Sequence, residues 1–296
     1  MWERFKVLNG GVLVVGHGTR LASGVEQLLD LSRQIGVLLA GIPTEPGFLE
    51  LAEPTIPQAM AQLRTQGVQQ ILVVPILLFE AAHALADIPE AVDKAACEEG
   101  ITILGQSAPL GTHIAALGLS DYRFRQALRC SQPKGCLMAG GCEQAEACLQ
   151  SYAPPPVGPD PHYKNERIGL AMVGRGTSDP LALDHMLRFT ELRVSQSQTP
   201  ISWVDTGFFA GGQLTVDELL IRAANSDCDT LVVQPHLLFE GELVRQLREK
   251  VQEYQVKSSN RRWLVPPTLG ADPKLATAFL SLASETLRER LAIGDF

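Results

Sequence analysis

Four phrases in this chain are each written twice, in the same order and at almost the same separation. "VVGHGTR" from position 14 returns as "MVGRGTS" from 172, and "PGFLELAEPTIPQAM" from 46 as "TGFFAGGQLTVDELL" from 206. "VPILLFE" from 74 returns as "QPHLLFE" from 234, and "APLGTHIAAL" from 108 as "PTLGADPKLA" from 267. The four separations are 158, 160, 160 and 159 residues. So steady a register marks a duplicated domain, since solenoid repeats recur every ~20–50 residues.

A chain of 296 residues has room for two such domains, because one domain typically takes roughly 100–200 residues. Between the copies, "SYAPPPVGPDPHY" at 151–163 carries five prolines. Proline lacks an amide donor and fixes φ, so this stretch favours extended chain over helix. The expected organisation is an N-terminal half over 1–130, a Pro-rich linker over 131–164 and a C-terminal half over 165–296. Within each copy short β-branched runs ("GVLVVG", "QILVVPILL", "GITILG"; then "IGLAMVG", "TLVVQPHLL", "RWLVPP") alternate with longer amphipathic segments such as 21–40, 54–66, 84–99 and 113–129. That alternation implies parallel βαβ units, and the unbroken apolar runs suit strands covered on both faces. The fold class expected is α/β: two similar flavodoxin-like halves, each a four-stranded parallel sheet flanked by helices.

Open parallel sheets bind ligands beyond the carboxyl ends of their strands. In the first copy each strand end delivers a residue with chemistry: His17 after the first strand, Glu50 after the second, His83 past the third and His113 after the fourth. The second copy is an internal control. Arg175 stands at the place of His17, Ala210 at that of Glu50, Leu243 at that of His83, and Asp272 or Pro273 near that of His113. The scaffold words survive while the candidate ligands change, so one half is expected to keep a reactive site and the other to keep the fold. Two imidazoles and a carboxylate suit first-row divalent ions such as Fe²⁺, Co²⁺, Ni²⁺ or Zn²⁺, and are too poor in oxygen for Ca²⁺ or Mg²⁺. "GHG" invites a phosphate-binding reading, but the third glycine of the dinucleotide fingerprint is missing.

The net charge of −8 argues against a nucleic-acid or anionic-membrane binder, which carries a basic footprint. No apolar run reaches the ~18 residues of a membrane span, and "MWERFKVLNG" does not read as a secretory signal; a cytoplasmic location is expected. The six cysteines, Cys97, Cys130, Cys136, Cys142, Cys148 and Cys228, include no C-x-x-C pair. Neither a zinc site nor an iron–sulfur cluster is expected of them.

Taken in order, "VVGHGTR", "FLELAEPTI", "VVPILLFEAAHALADIP" and "APLGTH" resemble the sirohydrochlorin chelatases, class II chelatases that insert a divalent metal into a modified tetrapyrrole. The resemblance is strong over 11–130 and fainter over 167–290, and the duplicated layout is similar to the long, fused members. It implies insertion of Co²⁺ or Fe²⁺, with Ni²⁺ also admitted, into sirohydrochlorin without ATP, in cobalamin or siroheme biosynthesis. It implies His17 and His83 at the metal, Glu50 as acidic helper, the metal as substrate, and no organic cofactor. The altered second half departs from a symmetric pair, so two equivalent active sites are not expected. For the polycarboxylated substrate the candidate contacts are Arg20, His113 and Arg175, the last either a carboxylate clamp or an internal salt bridge. The chain is expected to work as a two-lobed monomer. A non-catalytic tetrapyrrole or metal carrier on the same scaffold is the alternative.

Overall fold

The computed structural model describes residues 1–79, 82–129, 166–257 and 260–293; for residues 82–85 and 293 only the backbone enters the description. The Pro-rich stretch at 151–163 and four of the six cysteines lie outside the described residues.

In the first copy a short helix α1 (Trp2–Val7), absent from the sequence reading, leads into β1 (Gly10–Gly16). There follow α2 (Ala22–Leu38), β2 (Thr44–Phe48), α3 (Ile56–Thr65), β3 (Gln70–Pro75), α4 (Ala82–Glu99), β4 (Thr102–Gln106) and α5 (Ile114–Leu128). The strands are parallel and ordered β2-β1-β3-β4, the flavodoxin-like arrangement. Every residue of β1 is buried, which explains why its sequence does not alternate. The apolar run after β3 looks longer than the strand it makes. Leu77 N donates to Pro75 O, and the Leu77 and Leu78 carbonyls accept from Leu110 and Gly111 N instead of a ladder partner.

The second copy repeats the plan with β5 (Ile168–Gly174), α6 (Pro180–Ser195), β6 (Trp203–Phe208), α7 (Val216–Asn225), β7 (Thr230–Pro235), α8 (Glu242–Lys257), β8 (Arg262–Leu264) and α9 (Pro273–Ile293). Its parallel order is β6-β5-β7-β8. Even the capping repeats. Thr55 and Gln58 close a capping box on α3, and Thr215 and Glu218 close one on α7, each satisfying two orphan donors of its helix. Each sheet has its own core: Leu13, Val15, Met60, Leu63, Ile71 and Val73 in the first, and Val173, Leu219, Leu231, Val233, Leu247 and Trp263 in the second.

The compact units cut the chain differently from the sequence repeat. One unit comprises Met1–Ala115 with Ala271–Phe296, the other Ala116–Gly270. Each copy's last helix therefore belongs to the other copy's unit. In the first unit α9 buries Leu275, Ala276, Phe279, Ala283 and Leu287, and its Ser284 Oγ accepts from Trp2 Nε1 at 3.1 Å. In the second unit Gln234 Nε2 donates to Ser120 O at 2.8 Å, so β7 is tied to α5. A buried ion pair adds to this: Arg193 of α6 lies 3.0 Å from Asp121 of α5, which Arg125 also reaches at 2.6 Å. Burial pushes the Arg193 guanidinium down to about 10, with Asp121 opposing the shift.

Candidate active site

β1 and β2 are in register up to Gly16 and Phe48, and their parallel pairing runs on for two residues. Leu49 N donates to Gly16 O at 2.9 Å and Glu50 N donates to His17 O at 3.0 Å. His17 and Glu50 are thus set side by side by backbone, before any side-chain contact is made. Their side chains then meet, His17 Nε2 to Glu50 Oε1 at 3.1 Å, with 41% and 55% of their surfaces exposed. Gly18 has a reason to be glycine. Its φ is +106°, and a Cβ there would stand 1.7 Å from Glu50 O, so any side chain would force the two loops apart. The glycine of "GHG" brings the His17 loop against Glu50, a function distinct from cradling phosphate.

The sheet order sets the loops after β2, β1 and β3 in succession along one edge. The loop after β3 leads to His83, the second residue of α4. Its backbone therefore lies on the same edge as His17 and Glu50, while its side chain is outside the described residues. Among the described residues, no group of three or more His, Cys, Asp and Glu side chains is arranged to hold a metal ion. Arg20 is exposed at the start of α2, where Thr19 Oγ1 accepts from Leu21 N.

His113 acts as a helix cap: its Nδ1 accepts from Ala115 N at 3.1 Å at the start of α5. Its counterpart Asp272 accepts from Lys274 N at 3.0 Å at the start of α9. Both copies use that position for capping, so Nδ1 of His113 is committed to the helix end.

The second copy keeps this backbone and changes its chemistry. Ala210 N donates to Arg175 O at 3.1 Å, matching the bond from Glu50 to His17. Gly176 has a φ of +80°, and a Cβ there would meet Ala210 O at 1.8 Å. The loop that presents an imidazole and a carboxylate in one copy presents exposed Arg175 and Ala210 in the other.

Sequence reasoning passes over three residues. His236 occupies the place of Ile76, each with its backbone N–H on β1 or β5 (Val15 O and Val173 O); it is buried, and its ring stacks on Phe189 at 3.9 Å. The signal was a histidine interrupting an apolar phrase. Arg193 lies on the stripe of α6 that buries Met186, Phe189 and Thr190. The third is Leu51, beside Glu50.

The fold and its edge define a class: a duplicated parallel α/β chain with an imidazole–carboxylate pair at one copy's strand ends and an altered edge in the other. The CbiX family model matches residues 11–127 and again 169–286, and the chain belongs to the CbiX family. A sirohydrochlorin cobaltochelatase of Priestia megaterium is 26% identical over 93% of this chain and 79% of its own length. A sirohydrochlorin ferrochelatase of Bacillus subtilis (strain 168) is 26% identical over 96% of this chain and 95% of its own. The fold is that of the solved structure of SirB from Bacillus subtilis with Fe³⁺, at a TM-score of 0.70 and 24% identity over 94% of this chain and 95% of that one.

Proposed function

We propose that the chain is a sirohydrochlorin chelatase, inserting Co²⁺ or Fe²⁺ into the tetrapyrrole without ATP. Relatives named for both metals support the reaction, and the His17–Glu50 pair at 3.1 Å carries it at the level of residues. Insertion replaces two pyrrole N–H bonds by metal–nitrogen bonds and releases two protons, so the site needs metal ligands and proton acceptors together. His17 and His83 hold the ion by imidazole nitrogen, a donor suited to first-row divalent metals. Glu50, whose Oε1 lies 3.1 Å from His17 Nε2, orients the ring and takes up protons as they leave the macrocycle. Arg20 and Arg175 are the cations assigned to the substrate carboxylates, which guanidinium groups grip in fork geometry.

The test is anaerobic: purified protein and sirohydrochlorin with Co²⁺, Fe²⁺ or Ni²⁺ in turn, followed by the absorbance change of the pigment. Turnover above the uncatalysed rate with at least one metal is expected, and Arg175→Ala should raise KM for the tetrapyrrole. Stoichiometric binding without turnover would make the chain a carrier, and a normal KM in Arg175→Ala would remove that residue from the substrate site.

A further inference from the structure

Leu51 holds a backbone conformation that leucine avoids. Its φ is +62°, in the left-handed region, where a branched side chain crowds the backbone. The same position in the second copy is Gly211, with φ +64°. The two loops share a backbone shape, and only one of them meets it with the residue that adopts it freely. At Gly211 a Cβ would stand 2.1 Å from Thr177 O, so that loop is closed to any side chain. The first copy instead makes room for leucine and leaves its side chain 48% exposed.

Strain and exposure of an apolar group together contribute nothing to folding, and strained backbone clusters where a fold serves a ligand. The position is informative as well. Leu51 directly follows Glu50, whose carboxylate meets His17. Leu21, before α2, and Ile114, at the start of α5, are further exposed apolar residues on this carboxyl edge. The other exposed large apolar residues on the helices before and after β1, Val7, Val37 and Leu38, lie toward the opposite edge, at α1 and the end of α2.

We infer that Leu51 is a positioning residue that seats the apolar face of the tetrapyrrole macrocycle over the His17–Glu50 pair, an inference that rests on the function proposed above. A flat ring with charged groups at its rim offers an apolar face and an anionic edge. A leucine beside the metal-handling pair matches the face, as cations match the edge.

Two variants separate the contact from the backbone. Leu51→Asn keeps a residue that tolerates positive φ and removes the apolar surface, whereas Leu51→Met keeps the surface. Loss of about half a leucine's burial corresponds to roughly a 5-fold weakening of binding. The expected result is that Leu51→Asn raises KM for sirohydrochlorin, and Kd for the metal-free pigment by its own fluorescence, by about that factor. KM for Co²⁺ should stay unchanged, the thermal midpoint should not fall, because asparagine tolerates the positive φ that strains leucine, and Leu51→Met should bind like the wild type. Unchanged pigment binding in Leu51→Asn overturns the inference, as does a weakening matched by a lower thermal midpoint, which would make the residue structural. A wild-type chain that binds pigment but never inserts metal sinks the reaction and leaves this contact standing; one that does neither sinks both.

Discussion

The exchange of His17 for Arg175 and of Glu50 for Ala210 is the smallest unit at which the two copies part company. An exposed polar side-chain contact such as His17–Glu50 is worth about 0–1 kcal/mol to folding at most, so its effect on chemistry should far exceed its effect on stability. Glu50→Gln is therefore expected to leave unfolding free energy within about 0.5 kcal/mol of wild type. It should lower kcat for metal insertion by ~10–100-fold, the usual effect of losing a carboxylate that orients a ligand imidazole, read by denaturant titration and the anaerobic assay on the same preparation. His236 shows the opposite balance. Burial pushes its pKa down from 6.5 to about 3, so the folded chain excludes a proton that the unfolded chain binds between those values. Stability from this residue is complete above about pH 6.5 and is lost as pH falls toward 3. At about 1.4 kcal/mol per pH unit, the loss from pH 6.5 to 5 is roughly 2 kcal/mol. His236→Ile, the residue found at position 76, should flatten the stability–pH curve over that window; an unchanged slope would show that other groups set it. The His17–Glu50 pairing was legible in the sequence because parallel strand ends and the repeat register fix backbone neighbours. Leu51 was not, because a positive φ beside a short strand leaves no mark in composition.

Helices of the first copy were legible to within a few residues from apolar period alone: the segments 21–40, 54–66, 84–99 and 113–129 contain or nearly coincide with α2, α3, α4 and α5. The assignment of α5 and α9 to units was not. Both helices look like the natural ends of their own copies, and nothing in local composition at 115–116 or 270–271 signals a change of partner. That choice is made by tertiary contacts, among them Asp121 with Arg193 and Ser120 with Gln234. The Arg193 side chain is only 1% exposed, so removing the carboxylate would strand a buried charge. The cost of such a break is about 3–5 kcal/mol. Asp121→Asn is accordingly expected to lower the unfolding free energy by about 3 kcal/mol. The double variant Asp121→Leu with Arg193→Met should recover most of the loss. A single variant as stable as wild type would mean that α5 is held by its apolar face alone, through Leu117, Phe124 and Leu128.

At the scale of the whole chain, duplication supplies two copies of one edge and the sequence differences decide what each does. The family match falls on both copies, whereas the imidazole–carboxylate pair falls on one. No helix among the described residues is long and apolar enough to cross a membrane. With a net charge of −8, the chain as a whole opposes a polyanionic pigment, so the proposed function calls for local cations, for which exposed Arg20 and Arg175 are the candidates. The repeat, the four-stranded parallel class of each half and the asymmetry of the edge were readable from one sequence because a duplicated chain carries its own comparison. The most direct measurement is metal insertion by a variant whose first edge is rewritten as the second: His17→Arg, Glu50→Ala and His83→Leu together. The account predicts an intact thermal midpoint and an insertion rate no higher than that without enzyme. Metal insertion at the wild-type rate by that variant would contradict it.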